Sequence, residues 1–111
     1  MKQNLPEILD TIHDCIDRYR DQPLTDVVAL SEILRTLTAY LYYLEVEKVK
    51  YHNDWLSYVY NSKATSQSAK VAEADQKSPE LYQCRKISEA GQKVCDAIRS
   101  NISLFKNIDA G

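Results

Sequence analysis

Apolar residues recur along this chain at spacings of three and four, the period of helices that bury one face. The first run is Leu5, Ile8, Leu9, Ile12, Cys15, Ile16 and Tyr19. Asn4 with Glu7 three residues on reads as a capping pair, and Pro6 suits a first helical turn. Asp21-Gln22-Pro23 ends the run, because proline biases its predecessor away from helix. A short helix over 5–20 is expected.

The second run is longer. From a plausible cap at Thr25 it continues without Gly or Pro to about Ser62, predicting a helix over 26–62. At ~1.5 Å per residue that is roughly 55 Å. One seam keeps the spacing throughout: Val27, Leu30, Leu34, Leu37, Leu41, Leu44, Lys48, Tyr51, Trp55 and Tyr58. So long a seam calls for a coiled-coil-like partner. Ile33 and Tyr40 broaden it where the first helix should dock.

Residues 62–78 form a polar connection that is either flexible or holds a short Ala-rich helix near 66–75. Ser78-Pro79-Glu80 restarts the helical pattern. A helix over 79–108 follows, with its seam at Cys84, Ile87, Gly91, Val94, Ile98, Asn101, Phe105 and Ile108. The expected architecture is all-α, one domain over 1–111: a short N-terminal helix packed on a long antiparallel helical hairpin. Aligning Tyr58 with Cys84 sets Trp55 beside Ile87, Tyr51 over Gly91, Leu44 beside Ile98 and Leu37 beside Phe105.

The second helix carries another stripe, on the side away from its seam. Tyr42, Val46, Val49, Asn53, Leu56 and Tyr60 follow one another at 4, 3, 4, 3 and 4. A helix apolar on both sides expects burial on both, and residues 62–78 offer only Ala and one Val to cover it. Tyr42, Val46, Val49, Leu56 and Tyr60 are therefore the candidate partner-binding residues, for a second copy or for another protein.

Composition narrows the chemistry. Two Gly and three Pro in 111 residues leave no phosphate-cradling loop. Three cysteines, Cys15, Cys84 and Cys95, sit in apolar patterns and read as reduced thiols of a cytoplasmic protein. The start shows no signal peptide, and no segment reaches the ~20 apolar residues of a membrane span. His13 and His52 stand apart from any metal-ligand spacing, so no metal, cofactor or catalytic residue is expected.

Charge adds two further candidates. Glu7, Asp10, Asp14, Asp17 and Asp21 form an acidic ridge opposite the apolar face of the first helix, a solvated face or a docking edge for a basic partner. Tyr51, Trp55, Tyr58, Tyr82, Arg85 and Lys86 gather at one expected end, where rings and bases could hold a small nucleotide or single-stranded nucleic acid. A formal net charge of −2 with dispersed basic residues argues against duplex DNA.

Ser78-Pro79-Glu80-Leu81-Tyr82, Arg85, Asp96-Ala97-Ile98-Arg99-Ser100-Asn101-Ile102 and Phe105-Lys106 follow a tyrosine-rich long helix. Together they resemble small all-helical accessory proteins of tailed bacteriophages, over about residues 40–108. The resemblance rests on helix-surface patterning and carries over no site residue. It implies a non-enzymatic protein that acts stoichiometrically on a phage or host protein complex, such as a defence complex, or within phage DNA metabolism.

Overall fold

The computed structural model describes the backbone of residues 4–110 and the side chains of residues 4–106. Four helices follow one another: α1 (Leu5–Asp21), α2 (Val27–Asn61), α3 (Gln67–Lys77) and α4 (Pro79–Ala110). The molecule measures 63 × 30 × 20 Å.

Local chemistry sets the boundaries. Asn4 Oδ1 accepts from the Glu7 N–H at 2.9 Å, and α1 stops at Gln22, just before Pro23. The cap of α2 is Asp26 rather than Thr25: its carboxylate accepts from the Ala29 N–H at 3.0 Å, and a charged acceptor suits the helix N-terminus. The polar connection is mostly helix. Ser66 caps it through the Ala69 N–H at 3.2 Å, and α3 runs eleven residues before Ser78 breaks it.

The core lies in the N-terminal half of α2. There Leu30, Ile33, Leu37, Leu41 and Leu44 meet Ile8, Ile12 and Cys15 of α1 and Cys84, Cys95 and Ile98 of α4. Both polar seam residues find partners. Asn101 Nδ2 donates to the Leu24 carbonyl at 2.6 Å, tying α4 to the α1–α2 turn. Lys48 pairs with Glu45 at 3.1 Å, and the same Glu45 oxygen accepts from Ser88 Oγ at 3.1 Å. Ile108 of the expected seam lies outside the described side chains.

The α2–α4 register differs from the one expected. Leu41, not Tyr51, lies over Gly91, and Ser88 rather than Ile98 faces the Leu44–Glu45 turn. Thr38 Oγ1 stands 4.0 Å from Cys95 Sγ. The displacement is close to three helical turns, and α3 is its cause. The chain reverses at 62–66, well before the middle of the polar segment, and α3 then returns along α2 ahead of α4. Tyr58 and Trp55 therefore meet α3 rather than the start of the expected α4 seam.

Candidate functional site

Polar contacts and one small buried residue fix α3 on α2. Ala74 is fully buried, since a methyl group allows close helix approach. Trp55 Nε1 donates to Asp75 Oδ1 at 2.8 Å, and Ser62 Oγ donates to Glu73 Oε2 at 2.6 Å. Lys77 Nζ donates to the other Glu73 oxygen at 3.0 Å and lies 5.8 Å from the Tyr58 ring centroid. The Ser62 and Lys77 hydrogen bonds hold the Glu73 carboxyl below its usual range. These contacts place α3 on the Trp55 flank of α2.

The outer stripe stays open. Tyr42 is 68% exposed, Val46 56%, Val49 59%, Leu56 44% and Tyr60 91%. The heptad spacing also reaches back to Ala39, three residues before Tyr42 and likewise exposed. Sequence reasoning passed over Ala39, because a single methyl group gives little signal when large apolar residues are being counted. Two charged residues flank the stripe. Glu45 is pinned by Ser88 and Lys48, whereas Lys50 has no intrachain ion pair among the described residues. Together these residues make an apolar strip on a rigid element, with one carboxylate and one ammonium at its edges.

The other expected groupings are only partly brought together. Tyr51 is half-buried in the core, and its hydroxyl titrates above the usual range because of desolvation, with Glu47 adding to the effect. Trp55 stacks on His52 at 5.9 Å and commits its indole N–H to Asp75. Tyr82 and Arg85 share a cavity of ≈ 540 Å³ where α3 meets α4, along with Asp75, Ser78 and Gln83. Lys86 lies 5.5 Å from the Tyr82 centroid and lines a separate groove toward Asp10 and His13 of α1. The acidic ridge is solvent-exposed along α1, and Asp17 pairs with Arg20 at 3.8 Å.

The cysteines are buried, and desolvation is the leading cause that raises all three thiols above their usual range. Among the described residues no group of three or more His, Cys, Asp or Glu side chains could hold a metal ion. No helix among them is long and apolar enough to cross a membrane. No protein-family model matches the chain, and neither the curated proteins nor the solved structures contain a match to it.

Proposed function

We propose that this protein is a non-catalytic binding module that engages another polypeptide through the outer face of α2. A single observation carries the reading: Tyr42, Val46, Val49, Leu56 and Tyr60 form one continuous exposed strip, although an extra helix packs on the same end of α2. Aromatic rings among smaller apolar groups are the composition of interface anchors. The phage-accessory resemblance fits a stoichiometric role of this kind.

The test is a photo-crosslinking residue placed at Val49 and, as a control, at the exposed Lys93 of α4, in the chain expressed in cells. Adducts should form from Val49 and not from Lys93. The Val49→Glu/Leu56→Glu double variant should abolish association while far-UV circular dichroism stays unchanged, because exposed substitutions rarely cost more than about 0.5 kcal/mol. Equal crosslinking from both positions would refute the reading.

A second reading draws on the cavity of ≈ 540 Å³, which gathers Tyr82 and Arg85 and could take a small anionic nucleotide. Asp75, which lines the cavity from α3, opposes an anion, and this makes the reading the weaker of the two. Trp55 donates to Asp75 and so reports on the cavity. Fluorescence unchanged across a nucleotide panel would end this reading.

A further inference from the structure

The strip on α2 has more order than an apolar patch needs. From Ala39 through Tyr42, Val46, Val49, Asn53 and Leu56 to Tyr60 the gaps are 3, 4, 3, 4, 3 and 4, three unbroken heptads. Ala39, Val46, Asn53 and Tyr60 fall at a, and Tyr42, Val49 and Leu56 at d. Glu45 then occupies a g position and Lys50 the e position five residues later.

We infer that the occupant of this strip is a second copy of the chain, its α2 lying parallel and in register against the first. This rests on the reading of the outer α2 face as a binding surface. The flanking charges select the orientation. In a parallel pair, g contacts the e position five residues on, so Glu45 of each copy meets Lys50 of the other, twice by symmetry. Lys50 has no intrachain ion pair among the described residues, and Glu45 is pinned at the strip's edge with one carboxylate oxygen uncommitted.

Asn53 selects the same arrangement. In parallel register its side-chain amide faces its own copy and the two amides hydrogen-bond, the use of an a-position Asn that fixes register and orientation. Antiparallel alternatives do worse. Centred on Tyr51, the pairing sets Asn53 against Val49, leaving the amide without a partner, and brings the two Lys50 e positions side by side along one edge. Shifted to pair Ala39 with Leu56, it leaves Tyr60 outside the seam and gives Lys50 no carboxylate. Only the parallel register uses all seven layers.

Analytical ultracentrifugation of the full chain, up to about 100 µM, should show a reversible dimer. Glu45→Lys and Lys50→Glu should each weaken it about tenfold, since each sets like charges across both contacts, and the double charge swap should restore it. Asn53→Cys should close an interchain disulfide on mild oxidation, because residue 53 meets its own copy only in the parallel arrangement. A monomer throughout the range, a Lys50→Glu variant that dimerises as tightly as the parent, or an Asn53→Cys variant that stays uncrosslinked would each overturn the inference. The crosslinker at Val49 separates the two levels: an adduct to a different protein from a monomeric chain sinks the parallel dimer and keeps the binding face, while no adduct sinks both.

Discussion

Gly91 offers the most direct test of how α2 and α4 fit. A methyl group added there would stand 2.7 Å from Leu41 Cδ2 and 3.4 Å from its Cγ and Cδ1. Ordinary contact begins near 3.4 Å, so one methyl must give way by about 0.7 Å. Leu41 is only 3% exposed and cannot swing into solvent. Gly91→Ala recovers about 1 kcal/mol of helix propensity but overpacks a filled site at a cost of about 1–3 kcal/mol. The net expectation is a loss near 1 kcal/mol, several degrees in Tm for a domain of this size.

The background decides the sign. Leu41→Ala alone should cost about 2–5 kcal/mol by opening a cavity. In that variant the obstructing methyls are gone, so Gly91→Ala should become stabilising by about 1 kcal/mol, the propensity gain together with partial refilling of the space. A double-mutant cycle by urea denaturation, with m-values checked for constancy, reads the reversal. If Gly91→Ala shifts stability equally with and without Leu41, the two residues do not touch. If Tyr51→Ala produces the reversal instead, the register that sets Tyr51 over Gly91 is the correct one.

Acid should loosen α3 first. The folded-state depression of the Glu73 pKa gives stability that is present above the unfolded carboxylate range and lost as pH falls through the lower folded value. Trp55 emission should therefore change on acidification before far-UV signal is lost, and in Glu73→Gln it should be altered already at neutral pH; identical acid profiles for the two proteins would dismiss the Glu73 contacts. The thiols run the other way. Their folded values are raised, so they favour the fold fully below the unfolded thiol range, and that contribution fades as pH climbs through the folded values. Stability should decline above about pH 9, and a disulfide reagent at pH 8 should label the native protein slowly and the denatured protein fast; rapid native labelling would contradict the burial.

The long-period features were legible because each residue reports them independently. The α1 face, the α2 seam and the outer strip all follow from spacing, and Asn4 and Pro6 mark the start of α1 by local chemistry alone. What spacing did not disclose was α3's docking. Its only fully buried residue is Ala74, and its grip comes from Trp55–Asp75 and Ser62–Glu73, pairs set by three-dimensional approach. Setting Tyr58 beside Cys84 places the reversal near the middle of the connection; with α3 docked on α2 the chain turns earlier, and the α2–α4 register moves with it. The ring-and-base cluster is only partly assembled for the same reason: Trp55 and Tyr58 turn to α3, while Tyr82 and Arg85 line the cavity that Asp75 shares.

The turn at 62–66 also orders events in time. Contacts along the two arms join residues ever farther apart in the chain: 11 positions for Ser62–Glu73, 20 for Trp55–Asp75, 43 for Glu45–Ser88, 57 for Thr38–Cys95 and 77 for Leu24–Asn101. Each closes a loop already shortened by the one before it, so the incremental entropic cost stays small. Folding should therefore zip from the turn outward, with the Leu24–Asn101 latch among its last steps. Substitutions near Ser62 would then slow folding, whereas loss of the Asn101 amide would mainly hasten unfolding. Transition-state φ-values that rise toward Leu24 would contradict that sequence. The weakly apolar α3, which adds little to the core, would then be the segment that starts it.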